Sequence, residues 1–325
     1  VDSTNQPYLF PEYQQTEALV ETEPRDWGLS KRRVLLHVLL FGATCVTTTI
    51  TGAVMITPSS VSSWGYTAIV RSTLDGDFMP LANGLLFTFT LLMILGSHEL
   101  GHYFACRYYG IRATLPFFIP APPAPFTPFG TFGAVIKIKD PITSRRALFD
   151  IGIAGPLAGF VFALPASIIG LLVAESVIPS GGEGLVFNDP PLFLLIIKVF
   201  GLPASVRLNP VILAAWGALL VTALNLFPVG QLDGGHVLYA VVGPRIHKWV
   251  SRLVCVAVAA LAITAQVTQG SPIWFLWTLV LIFMARVGHP PTRVSEPLGK
   301  GRLLLAAVAL LVFLLCFMPF PITME

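Results

Sequence analysis

The sequence predicts an all-α polytopic membrane protein of about six to seven transmembrane helices, with a short re-entrant β-hairpin on the cytosolic side. Three observations carry this expectation. Of 325 residues, 54% are hydrophobic and only 11% charged, against about 25% charged in a soluble domain. Mean hydropathy is +0.76, and several apolar runs are long enough to cross a hydrocarbon core of roughly 30 Å. Between two of those runs lies a Pro-rich stretch ending in a short alternating segment, the mark of a strand. With twenty Lys and Arg against seventeen Asp and Glu, the net charge is only +3. The basic residues sit in short connections rather than on one face, so no nucleic-acid partner is expected.

Residues 1–33 are polar and mostly acidic, without the apolar core or small-residue cleavage site of a secretory signal. They read as a disordered cytosolic leader whose missing initiator Met suggests a processed or truncated start. Residues 34–325 then form a single membrane-embedded domain. Its apolar runs are 34–57, 81–105, 148–174, 209–228, 249–268, 272–286 and 303–318, with the fifth and sixth together able to form one helical hairpin. If the N-terminus is cytosolic, only Arg71, Lys198 and Arg207 of the basic residues fall outside, and the other seventeen fall inside. That bias predicts N-in and, with seven spans, C-out. The four cysteines lie in or beside apolar runs without CxxC or Cys/His spacing, so neither a disulfide nor a thiolate metal site is expected.

The second run, LFTFTLLMILGSHELGHYFACRYYG, carries His98, Glu99 and His102 as HExxH. On a helix, residues four apart project from nearly one face, so the two imidazoles suit one zinc ion; Glu99, about 100° round, reaches a water on that metal instead. A carboxylate in mid-membrane costs roughly 3 kcal/mol on insertion scales, so a Glu flanked by two His in such a run needs a purpose. Packing as a polar cluster is the bland alternative. The neighbouring Tyr103, Phe104, Tyr108 and Tyr109 read as an interfacial aromatic belt.

Residues 111–147 are too long for an idle connection. Within them FGAVIKIK, 132–139, places Phe132, Ala134, Ile136 and Ile138 on one face and Val135, Lys137 and Lys139 on the other. Two readings stand side by side: a hairpin whose edge, at Val135 and Ile136, pairs with an extended substrate, or an interfacial loop pinned by lysines. The third run contains GIAGPLAG, whose Gly155 and Gly159 have the spacing that lets helices approach closely.

A catalytic zinc site takes three protein ligands, and the best third candidate is Asp233, in NLFPVGQLDGGH, residues 225–236. Pro228 ends or kinks the fourth run, and Gly230, Gly234 and Gly235 permit tight turns that aim a short side chain. Both this stretch and His98 lie toward the cytosolic ends of their runs. His236 is the rival ligand, its position also fitting a supporting or helix-start role. Asn225 either holds substrate or steadies an oxyanion, or makes a helix-to-helix hydrogen bond.

On these residues the sequence resembles the site-2 protease family of intramembrane zinc metalloproteases: HELGHYFACRYYG looks like its first motif and NLFPVGQLDGG like its NxxPxxxLDG motif. The resemblance covers roughly residues 81–243, the expected catalytic core. It implies one zinc per chain held by His98, His102 and Asp233, Glu99 as general base, and cleavage of transmembrane substrate proteins in the bilayer. Residues 175–208 are too few for the PDZ domain of many members, so the chain looks like the PDZ-lacking branch. That branch implies a bacterial cytoplasmic membrane or a plastid membrane. An inactive helix-binding protein typically loses a ligand or the Glu, and all four are present. A zinc transporter would string ionisable residues across several spans, and here they cluster at one depth. Substrate identity and oligomeric state are not legible.

Overall fold

The computed structural model describes residues 31–57, 66–124, 126–176, 185–289, 292 and 297–324. The leader expected over 1–33 therefore lies outside them except at its end, where helix is already present. The chain divides into two compact units, 1–35 and 36–325. The described part of the first is the opening turn of a helix, and the elements that build the core and the site belong to the second.

In chain order the described elements are α1 (Lys31–Ile56), α2 (Tyr66–Leu74), α3 (Met79–Tyr108), β1 (Phe117–Pro120), β2 (Thr131–Val135), α4 (Arg145–Leu172), β3 (Leu185–Phe187), α5 (Pro191–Phe200), α6 (Pro210–Asn225), α7 (Asp233–Gln269), α8 (Ile273–Val287), α9 (Lys300–Cys316) and β4 (Ile322–Met324). Each of the seven apolar runs falls on a helix. Four helices, α1, α3, α4 and α7, are long and apolar enough to cross a membrane. At 16 residues, α6 is only about 24 Å long. The short α2 and α5 and the β3–β4 pair were not expected, each being too brief for a periodic signal to accumulate.

The core is built around α6, where Leu213, Ala214, Ala215, Trp216, Ala218 and Leu219 are all at most 1% exposed. Its start is fixed locally: Pro210 occupies the first turn, where its missing donor is harmless, and the Asn209 side chain accepts from the Val211 and Ile212 amides at 3.0 and 2.9 Å. The same Asn209 donates to the Gly170 carbonyl at 2.9 Å, tying α6 to the end of α4. Within α7, Gly243 (φ 82°) and Pro244 make a kink, so the fifth run is the distal half of a longer helix that begins at Asp233.

The expected strand is present and its alternation holds from Ala134 to Lys139, but its start needs correction. β1 and β2 form an antiparallel pair with Phe117 opposite Val135 and Phe118 opposite Ala134, but the register slips before Pro120 and Thr131. Gly133, at φ 95°, supplies the extra residue of a bulge, and one extra residue reverses the faces. Phe132 is therefore 67% exposed, away from the face expected to hold it. Beyond Val135 the pairing is reduced to a bridge between Ala113 and Ile138.

Candidate metal centre

His98, Glu99 and His102 lie in the second half of α3 and are 5, 9 and 8% exposed. They are accommodated because α4 comes very close. A Cβ on Gly101 would run into the Ala154 carbonyl. One on Gly155 would fall on the His102 ring, and one on Gly159 would stand 3.2 Å from the His98 Cβ. The small-residue spacing in α4 is thus the cavity for two imidazoles, a more specific role than close helix approach alone.

Asp233 arrives on a different segment, packed against Gly152 of α4. After α6 the chain unwinds through Leu226 to Leu232, and its freed carbonyls find partners: Ser251 Oγ donates to Pro228 at 3.2 Å, and the Val229 and Leu232 amides donate to Phe227 and Val229. The Gln231 amide reaches Gly288 at 3.0 Å. Irregular backbone in an apolar surround persists only when satisfied in this way. Gly234 and Gly235 press on the carbonyls of Leu226 and of Val229 and Gly230, where any side chain would collide. Asp233 is the first residue of α7, where the positive end of the helix dipole favours a carboxylate.

The three side chains meet. His98 Nε2 is 3.1 Å from Asp233 Oδ2, His102 Nε2 is 3.3 Å from Asp233 Oδ1, and the two Nε2 atoms are 3.1 Å apart. Among the described residues this is the group of three such donors that lies within metal-binding range. Tetrahedral zinc with bonds of about 2.0–2.2 Å separates its ligand atoms by roughly 3.3–3.5 Å, close to all three edges. The tautomer supports the fit: His102 Nδ1 donates to the Ile151 carbonyl at 2.7 Å, which leaves the Nε2 lone pair of a neutral ring directed inward. A lone pair aimed at a carboxylate is repulsive unless a cation or proton lies between them. Side-chain exposure is 6% for His98, 10% for His102 and 15% for Asp233, so the acid marks the more open side.

Glu99 stands beside this triangle, and its carboxylate faces the Ile136 backbone amide. The residue just past β2 therefore abuts the site, although strand periodicity gave no hint of this contact. The Asn225 amide lies 3.4 Å from His98 Nε2, which puts it at the triangle and leaves both of its expected roles available. His236 turns elsewhere, its Nδ1 2.7 Å from His289 Nε2. Its Cβ packs toward Gly152, so it supports the first turn of α7 and stands outside the donor group. Tyr109 also departs from expectation. It is no belt residue, because its hydroxyl donates to Asp150, whereas Phe104 and Tyr108 are 63 and 83% exposed.

Comparison with known proteins agrees with this geometry. A model of peptidase family M50 matches residues 86–265, which contain all four residues at the triangle. The chain is 31% identical over 264 residues to the probable zinc metalloprotease EGY2, chloroplastic, of Oryza sativa subsp. indica, covering 77% of this chain and 45% of that protein. It is 32% identical over 254 residues to the protein of the same name from Arabidopsis thaliana, covering 74% and 43%. With the probable zinc metalloprotease EGY1, chloroplastic, of Arabidopsis thaliana, identity is 29% over 254 residues, covering 74% and 43%. The chain thus spans less than half the length of these curated relatives.

Proposed function

Because the chain belongs to peptidase family M50, we propose that it is an intramembrane zinc metalloprotease that hydrolyses peptide bonds of transmembrane proteins. One observation carries the reading: two segments 135 residues apart in sequence bring two imidazole nitrogens and a carboxylate to the corners of a buried triangle. His98, His102 and Asp233 hold one zinc ion per chain. When bound, the ion would act as a Lewis acid toward the scissile carbonyl and the attacking water.

The remaining steps belong to the chain's own residues. Glu99 takes the proton released as water attacks and returns it to the leaving amine, one carboxylate serving as base and then as acid. The Ile136 amide faces that carboxylate, and the Ile151 carbonyl holds His102 in the required tautomer. Asn225, beside His98, is placed to donate to substrate as charge develops on its oxygen. A helical peptide bond is shielded by its own hydrogen bonds, so substrate must be extended before attack. The edge formed by Val135 of β2 and Ile136 just past it is the candidate for holding it so. Water enters at Asp233.

Six to seven spans, a cytosolic N-terminus and a re-entrant β1–β2 hairpin complete the reading, with a plastid or bacterial membrane as its setting. The chloroplastic relatives favour membranes of that lineage. The test compares membrane-protein fragments in cells carrying the active chain and Glu99→Gln. Substrates are the proteins whose fragments vanish in the variant, and identical fragment patterns would sink the proposal.

A further inference from the structure

The metal triangle is supported from a part of the chain outside the family match. Arg302, in α9, makes a forked contact with Asp150 of α4, with Nε 2.8 Å from Oδ1 and Nη2 2.7 Å from Oδ2. Tyr109, at the end of α3, donates its hydroxyl to the same carboxylate and accepts from Arg302 Nη2 at 3.2 Å. Burial, reinforced by Asp150, pushes the Tyr109 hydroxyl above its usual pKa, so it stays a donor. Three helices therefore converge on one carboxylate, and every hydrogen bond there is charge-assisted.

The residue after Asp150 is Ile151, whose carbonyl orients His102. A carbonyl in a helix cannot turn independently of its neighbours, so whatever fixes the rotation and height of α4 at Asp150 also fixes the acceptor of the imidazole. A second contact of the same helix acts in the same sense. Arg145 donates to the carbonyls of Ala240 and Val241, at 2.9 Å for the latter. These are the carbonyls left open where Gly243 and Pro244 interrupt α7. The first turns of α4 thus grip both the helix that carries the histidines and the helix that begins with Asp233.

We propose that Asp150, Arg302 and Tyr109 form a positioning latch through which the C-terminal helix α9 sets the orientation of His102 and hence the affinity of the metal centre. The proposal rests on the zinc reading. The three residues touch neither the triangle nor a substrate, and they act through the Ile151 carbonyl. Outer partners of metal-binding histidines typically account for 10–100-fold in affinity, and a latch acting as a unit is non-additive.

The experiment measures zinc affinity of the full chain in detergent by competition with a chromophoric chelator, for Asp150→Asn, Arg302→Gln, their double variant and the conservative Tyr109→Phe. The expected result is a 10–100-fold loss in each of the first two and a smaller loss in Tyr109→Phe. The double variant should be no worse than the weaker-binding single. Arg112→Gln serves as control, since it breaks a forked pair with Asp140 of similar exposure, 38 and 26% against 28 and 25%, and neither residue precedes or follows Ile151 in α4. It should bind zinc within twofold of the unaltered chain.

Affinities within twofold for both latch variants, losses that multiply in the double variant, or an equal loss in Arg112→Gln would each overturn the latch. Failure of the zinc reading looks different, because the unaltered chain would then bind no zinc.

Discussion

Gly155→Ala adds one methyl group to α4, a helix long and apolar enough to cross a membrane, and the geometry places that methyl on the His102 ring. Taken alone, Gly to Ala inside a helix gains up to about 1 kcal/mol. Here the new carbon overlaps three ring atoms of a residue that is 8% exposed and hydrogen-bonded on its far side to Ile151. The backbones of α3 and α4 already touch at Gly101 and Ala154, so the helices cannot separate without opening that seam, and the ring must move instead. Overpacking of this kind costs about 1–3 kcal/mol. If the displaced imidazole bears that strain, zinc binding weakens about 5–150-fold, at 1.4 kcal/mol per factor of ten.

Two further glycines calibrate the argument. A methyl at Gly159 meets His98 Cβ at 3.2 Å and Nδ1 at 3.4 Å, and one at Gly42 meets nothing within 4 Å. Zinc affinity, measured by chelator competition, should therefore fall in the order Gly42→Ala, Gly159→Ala, Gly155→Ala, with the first unchanged. Thermal unfolding in detergent separates local displacement from collapse. A Gly155→Ala protein that binds zinc within twofold of the unaltered chain and hydrolyses substrate at the normal rate would refute the claim that this glycine makes room for the ligand.

Three other outcomes are expected. Metal analysis of purified protein should give one zinc per chain, lost in Asp233→Ala and retained in His236→Ala; the reverse pattern would move the third ligand to His236. Glu99→Gln should keep zinc while turnover falls by roughly 10² to 10⁴-fold, about 3–5 kcal/mol of barrier, and near-normal turnover would remove Glu99 from the mechanism. Val135→Pro should lose cleavage of helical substrates while sparing substrates already loosened by helix-breaking residues. Ile136→Pro should do the same. Normal rates on every substrate in both variants would leave the segment a passive loop.

The residues at the triangle were legible in the sequence because their signals are local or chemically forced. HExxH places two imidazoles on one helix face by the geometry of a single turn. An acid after a Pro/Gly stretch at the end of an apolar run has few uses other than as a ligand. The helices were legible because an apolar run long enough to span lipid has one favourable backbone state. Only Phe132 was placed on the wrong face of the alternating segment, for an equally local reason. Alternation assumes an unbroken pleat, and the conformation of Gly133 breaks it.

What surrounds the triangle could be decided only by tertiary structure, because it is made by backbone atoms and by contacts between distant segments. The Ile151 carbonyl on His102 and the Ile136 amide on Glu99 are main-chain groups that any residue type could supply, so composition carries no trace of them. Asp150, Tyr109 and Arg302 span 193 positions of sequence, and nothing in the spacing of three polar residues reveals that one carboxylate joins them. Gly155 and Gly159 lie between these cases. Their spacing announced a close approach, but that histidine rings fill the space follows only from the register in which α4 packs on α3. That register is set by side-chain volume in three dimensions rather than by any periodicity along the chain.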